Sequence, residues 1–116
     1  MTDETTIRLA EIATARSGDK GNHANIGVVA FRPAGYAFLA AQLTADRVGQ
    51  FLAGLRADRI ERFELPKVGA LNFLLYNALA GGASQSLRID TQGKLLGTAL
   101  LEMELPRPDD WRAMVR

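Results

Sequence analysis

Gly18-Asp19-Lys20-Gly21-Asn22-His23-Ala24-Asn25-Ile26-Gly27, running on into Val28-Val29-Ala30-Phe31, is the stretch on which the reading of this chain turns. Three glycines, two asparagines, an acid, a base and the single histidine stand between two apolar, β-like runs. Glycine reaches backbone angles closed to other residues, and asparagine tolerates the left-handed region best among the rest. A sharply turning loop is expected over residues 18–27, its backbone N–H groups gathered into one concavity and Asp19, Lys20, Asn22, His23 and Asn25 around it. The loop joins two expected strands. Upstream, residues 7–14 are mostly apolar and β-branched. Downstream, Ile26 to Phe31 form a short continuous apolar run, as in a strand buried on both faces.

Working outward, Pro33 and Gly35 end that second strand, and the alanine- and leucine-rich residues 36–43 suit a short helix. Thr44 has the character of an N-cap, followed by Val48, Phe51, Leu52 and Leu55 at helical spacing. Residues 60–65 alternate imperfectly as a strand that Pro66 closes. Leu71, Leu74, Leu75, Ala78 and Leu79 fall on one side of a helix over residues 68–79, with Gly81-Gly82 as its terminator. Leu87 and Ile89 alternate with polar neighbours in a further strand, Gly93 pins a tight turn, and residues 101–105 alternate in a last strand. Trp111 is expected to dock on the body from a short tail. This order predicts one α+β domain over residues 1–116, a two-layer α/β sandwich of about five strands with two helices on one face. The other face is expected to be solvated or buried against another subunit. The apolar runs through Val28, Val29 and Leu101 favour burial, hence a homo-oligomer, with a dimer as the commonest symmetric form.

Composition narrows the function classes. A chain of 116 residues is one domain by size, and its 47% hydrophobic and 23% charged residues are ordinary for a globular protein. Fourteen basic and thirteen acidic side chains leave a formal charge of +1, without the basic stripe of a nucleic-acid binder. No cysteine is present, which removes disulfides, thiolate metal sites and thiol catalysis. Residues 1–6 are polar and acidic, unlike a signal peptide, and no apolar run reaches membrane-spanning length. A cytoplasmic protein with no membrane partner is expected.

Several segments together carry a family resemblance. They are Gly-Asp-Lys-Gly-Asn at 18–22, Asn-Ile-Gly-Val at 25–28, Leu-Thr-Ala at 43–45, Glu-Leu-Pro at 64–66, Ala-Leu-Asn-Phe at 70–73, Gly-Gly-Ala-Ser-Gln-Ser-Leu-Arg at 81–88 and Gly-Lys at 93–94. In this order, from about residue 7 to 105, the chain resembles the AtuA-like family. That family is the small domain at the carboxyl end of acyclic terpene utilisation protein A, also found as stand-alone proteins. The resemblance implies a ferredoxin-like fold, in agreement with the two-layer sandwich. It implies a place in the breakdown of citronellol- and geraniol-like terpenes as acyl-CoA thioesters, for which a hydratase or acyl-CoA lyase role has been suggested. The large amino-terminal domain is not among the 116 residues, so a stand-alone form with a separately encoded large AtuA-type partner is expected. Lys67 stands where the family commonly has asparagine.

The candidate ligand-binding residues are Gly18, Asp19, Lys20, Gly21, Asn22, Asn25, Asn72 and Arg88. Asp19 and Lys20 suit either an acid–base pair or an anion site; the bland alternative is that Asp19 caps local N–H groups while Lys20 is solvated. Asn22 and Asn25 equally suit turn stabilisation. His23 is the default general base by its ordinary titration range, beside the plainer reading of a surface histidine in a polar loop. A lone histidine without cysteine argues against a zinc site, because carboxylates alone rarely complete one, and no metal or other cofactor is expected. Asn72, on an apolar helix face, must find hydrogen-bond partners in a neighbouring loop or in a ligand. Gly81, Gly82, Ser84, Ser86 and Arg88 offer a second wall, with Arg88 as a forked anion clamp; alternatively the glycines only cap the helix and Arg88 decorates a strand. Ser17, Ser84 and Ser86 lack a nucleophile-elbow context, and Gly18-x-x-Gly21 is too short for a nucleotide-binding motif. Two functions compete: a small ligand-binding or interaction subunit, and a stand-alone lyase or hydratase of acyl-CoA-type substrates in which Asp19 or His23 moves the proton. An acyl-CoA or other anionic small molecule is the expected ligand in either case.

Overall fold

In the computed structural model, which describes residues 5–78 and 96–116 and gives Lys20 by its backbone alone, residues 13–30 fold as a tight hairpin. Strand β2 (Ala13–Lys20) pairs antiparallel with β3 (His23–Ala30), Lys20 opposite His23, so only Gly21 and Asn22 remain as the turn. Gly21 sits at φ +62° while Asn22 keeps a negative φ, the pattern of a type II′ turn, whose twist matches that of the flanking strands. The broad loop expected over residues 18–27 is therefore corrected to strand on either side of a two-residue turn. One glycine at the required left-handed position suffices to reverse the chain, and Ala24 and Ile26 then fall inward, both fully buried. A Cβ on Gly21 would meet nothing within 4 Å, so Gly21→Val tests conformation alone. It is expected to lower the unfolding free energy by about 1–3 kcal/mol, the range for a non-glycine residue forced into that region. Urea denaturation measures this, and wild-type stability for the variant would contradict the assigned turn.

Residues 7–14 do not form one strand. They divide into β1 (Thr6–Arg8), the single-turn helix α1 (Leu9–Ile12) and the start of β2. Leu9 and Ile12 are three residues apart and both fully buried, which one helical turn accomplishes and an alternating strand cannot. The Arg8 N–H donates to Glu11 Oε2 at 2.8 Å and closes the turn's amino end. At the other end of the chain, the strand expected over 101–105 shortens to β6 (Glu104–Pro106), which pairs with β1, Ile7 opposite Leu105. The ladder carries on irregularly, with the Leu9 N–H donating to Met103 O at 2.8 Å and the Ala10 N–H to Leu101 O at 2.9 Å.

The largest departure lies at residues 68–79. The expected helix is instead β5 (Ala70–Tyr76), a central strand of a four-stranded antiparallel sheet ordered β2-β3-β5-β4, with β4 at Arg59–Leu65. Leu71, Phe73 and Leu75 are buried while Asn72, Leu74 and Tyr76 are half-buried, a period of two. A helix over this segment would turn Phe73 away from the apolar stripe; the strand buries it completely. Gly69 at φ +65° and Asn77 at φ +58° bracket the strand with left-handed residues that stop a helix from running through.

Helix α2 (Pro33–Gln42) starts on Pro33, whose fixed φ suits the first helical position, so this proline opens a helix as well as ending β3. Thr44 caps α3 (Ala45–Phe51) as expected, its Oγ1 accepting from the Arg47 N–H at 3.1 Å. Phe51 leaves the expected apolar stripe and is 42% exposed, because α3 ends there and a 3₁₀ turn at Ala53–Leu55 carries Leu55 inward instead. Helix α4 (Leu96–Leu100) precedes β6. The turn and strand expected around Gly81-Gly82, Leu87, Ile89 and Gly93 lie outside the described residues.

The helices share one face of the large sheet. Gly35 of α2 lies against Ala30, Gly49 of α3 against Ile60, and Gly97 of α4 against the backbone of Ala15 and Arg16. The Gly97 N–H donates to Ser17 Oγ at 2.8 Å. Between the layers sit Ile12, Ile26, Val28, Leu39, Leu43, Leu71, Phe73, Leu75, Leu96 and Leu100, each at most 1% exposed. Arg62 lies on this face too, yet its Nη1 donates to Ala40 O at 2.9 Å and Leu43 O at 3.3 Å. The guanidinium thus satisfies carbonyls that the end of α2 leaves without helical partners. The chain has the two-layer α+β architecture expected of it. Among the described residues no helix is long and apolar enough to cross a membrane.

Candidate functional site

Strand alternation sends residues of one parity to the helices and the other parity to the open face of the sheet. Register places Gly18, Asn25, Leu74 and Glu61 in one row across β2, β3, β5 and β4 on that open face, and Arg16, Gly27, Asn72 and Phe63 in the next. Toward the Gly21 tip, Lys20 lies opposite His23 and Tyr76 opposite Arg59. At the far end the row is Thr14, Val29, Ala70 and Leu65. The open face is therefore graded, charged and aromatic at the hairpin end and apolar at the other.

Two stretches separated in sequence meet in its middle. The Asn25 Nδ2 donates to Asn72 Oδ1 at 2.9 Å across the β3–β5 boundary, and both residues are half-buried. Asn72, expected on a helix with its partners in a neighbouring loop or a ligand, sits instead on a strand, and its partner is another strand's side chain. Glycine flanks this pair on the open face. A Cβ on Gly18 would meet nothing within 4 Å, and one on Gly27 would come no closer than 3.8 Å, to Asn72 Oδ1. Gly18, Asn25, Gly27 and Asn72 thus outline a shallow recess floored by backbone, with amide donors and acceptors at its side and the exposed Arg16 next to it in the register.

A second polar group lies toward the tip. The Tyr76 hydroxyl donates to Glu61 Oε1, and the Arg59 guanidinium stands 4.2 Å from the Tyr76 ring centre and 3.3 Å from Glu61 Oε1. The His23 ring meets Tyr76 edge-on at 5.1 Å. His23 Nδ1 accepts from the Asn77 N–H at 2.9 Å, so the neutral ring carries its proton on Nε2 and presents a donor there. Asn77 Nδ2 donates in turn to Asp58 Oδ2 at 2.6 Å. Arg59, Glu61, Tyr76 and Asn77 were not among the residues chosen from sequence. The period of two in Arg59 and Glu61 was the available signal, and it was masked by the apolar members of the same strand.

The structure separates the remaining candidates. Asp19 pairs with the fully buried Ala24 in the register, on the opposite parity from Gly18, His23 and Asn25, so it does not share their face. Its carboxylate is exposed and has no partner among the described residues. Asp19→Ala is therefore expected to change the unfolding free energy by no more than about 0.5 kcal/mol, as for a solvated surface residue, and a larger loss in a urea titration would reveal a missed contact. Gly21 and Asn22 form the turn itself. Arg88, with Ser84 and Ser86, lies outside the described residues. Among the described residues no group of three or more His, Asp or Glu side chains is placed to hold a metal.

Comparison with known proteins bears on the chain as a whole. The model of the AtuA ferredoxin-like domain matches residues 7–106, and the chain belongs to that family. Neither the curated proteins nor the solved structures compared with it contain a match.

Proposed function

We propose that this AtuA ferredoxin-like chain is a small ligand-binding and interaction subunit of acyl-CoA and terpenoid catabolism. On this reading it pairs with a second copy through the open face of its sheet and acts beside a large AtuA-type protein. The observation that carries the proposal is the one-sided sheet. Helices cover one face, while on the other Val29, Phe63 and Leu65 are 40%, 43% and 46% exposed and lie together at one end. Single exposed apolar residues are ordinary on a protein surface; a shared patch next to a polar recess is the pattern of a contact surface. The recess at Gly18, Asn25, Gly27 and Asn72 supports the ligand-binding half of the proposal. Paired amides with an arginine beside them suit an anionic, carbonyl-bearing ligand of the acyl-CoA type.

The same geometry weighs against a lyase or hydratase built on Asp19 and His23. The two side chains lie on opposite faces of the sheet, and the Nδ1 lone pair of His23 is taken by the Asn77 N–H. Sedimentation equilibrium tests the assembly. The wild type is expected to be dimeric at micromolar concentration and Leu65→Asp monomeric with an unchanged circular dichroism spectrum. A wild type that stays monomeric, alone and with a large AtuA-type protein, would contradict the proposal.

A further inference from the structure

At the end of the sheet away from the Gly21 turn, β3 leaves for α2 while a 3₁₀ turn at Pro66–Val68 links β4 to β5. Between these two connections lies a cleft of about 330 Å³. That volume falls at the lower end of the range for small-molecule sites, ~300–1,000 Å³. Phe31, Pro66 and Val68 give it apolar walls, and Arg32, Lys67 and Tyr36 give it polar ones. No acidic side chain is among the described residues that line it. Arg32 is anchored, its Nε donating to Val115 O at 2.9 Å, which leaves the outer nitrogens of its guanidinium for another acceptor. Arg116 adds a third cation nearby, its guanidinium 5.3 Å from the Phe31 ring centre. Val68, at 65% exposure the most exposed large apolar side chain described, sits beside Lys67 in the same turn.

Cations at the rim of an apolar cleft, with no acidic side chain among the described residues lining it, define a ligand by its chemistry. A ligand that matches both would set its anion against Arg32 and Lys67 and its hydrocarbon body along Phe31, Pro66 and Val68. From this arrangement we infer that the cleft is a binding site for a small amphiphilic carboxylate, an alkyl chain of medium length ending in one anionic group. A bare inorganic anion leaves the apolar walls unused, and a neutral alcohol of the same length leaves both cations unpaired. The cleft and the Asn25–Asn72 recess are separate places on the molecule, and the carboxylate site stands whether or not the sheet faces pair.

Titration of the ¹⁵N-labelled full chain with octanoate, octanol and inorganic phosphate, followed by amide chemical shifts, tests the inference. Octanoate is expected to give saturable shifts centred on Phe31, Tyr36 and Lys67 to Gly69, with octanol and phosphate each at least about tenfold weaker, the factor that one lost charge-assisted contact produces. Lys67→Glu is expected to weaken octanoate by at least about the same factor. Lys67 is exposed, so this variant should keep the wild-type thermal midpoint. Equal affinity for octanol or for phosphate would overturn the proposed site. So would saturable shifts centred elsewhere, no saturable response to octanoate, or full affinity in Lys67→Glu.

Discussion

Phe73→Ala is expected to lower the unfolding free energy by about 3–5 kcal/mol, the usual cost of truncating a buried aromatic. Phe73 has no exposed surface and sits on β5, with β3 and β4 on either side, where Ile26 and Arg62 are its register partners. Removing the ring opens a void at the middle of the sheet's covered face, and the neighbouring strands are hydrogen-bonded and cannot close over it. A domain of this size has about 5–15 kcal/mol of stability in all, so the variant should unfold at far lower urea. Phe63 supplies the contrast. It faces the open side at 43% exposure, and Phe63→Ala should cost less than about 1 kcal/mol in the isolated chain. Were residues 68–79 helical, Phe73 would lie off the apolar stripe and the two substitutions would cost similar amounts.

Gly97→Val is the second large effect. A Cβ at Gly97 would stand 3.1 Å from the Arg16 carbonyl carbon and 3.3 Å from the Ala15 carbonyl carbon and the Arg16 nitrogen. These are backbone atoms of a paired strand, with no flexible side chain to swing aside. Helix α4 must lift from β2, and the Gly97 N–H loses Ser17 Oγ, now 2.8 Å away. Over-packing and the lost hydrogen bond together are expected to cost about 2–4 kcal/mol in urea denaturation. Wild-type stability would mean that α4 does not pack on β2 in this way.

The fold class was legible in the sequence, and the reasons can be given residue by residue. Thr44 announced its helix because a side-chain cap acts locally. Gly21 announced a turn because the required φ is local too. The end of β4 was legible through Pro66, which has no N–H to extend a strand ladder. Residues 68–79 misled because leucines at positions 71, 75 and 79 satisfy helical and alternating patterns together, while Leu74 adds to the helical one alone. What decides between them is pairing with β3 and β4, a contact that local spacing does not encode. Residues 7–14 misled for a related cause: β-branched composition suggests a strand, yet Leu9 and Ile12 need one helical turn to reach the core together.

The candidate site was legible in part for the same physical reason. Residues 18–27 stand out in the sequence as a concentration of glycine and asparagine, and Asn25 meets Asn72 from another motif. Alternation, however, separates neighbours in sequence: as strand residues, Asp19 and Gly18 go to opposite faces. A loop reading placed both around one concavity. Tyr76 and Glu61 escaped notice because their link joins two strands fifteen residues apart and has no sequence motif.

The central claim, that the open face of the sheet is a buried contact surface in the working protein, has a direct measurement. The chain has no cysteine, so a single Leu65→Cys reports alone. Its thiol-modification rate should be compared with that of Thr98→Cys, an exposed position on α4. The account predicts that Cys modification at position 65 slows markedly as protein concentration rises through the micromolar range, while modification at position 98 stays constant. Rates at both positions that are equally fast and independent of concentration, with or without a large AtuA-type protein, would contradict it.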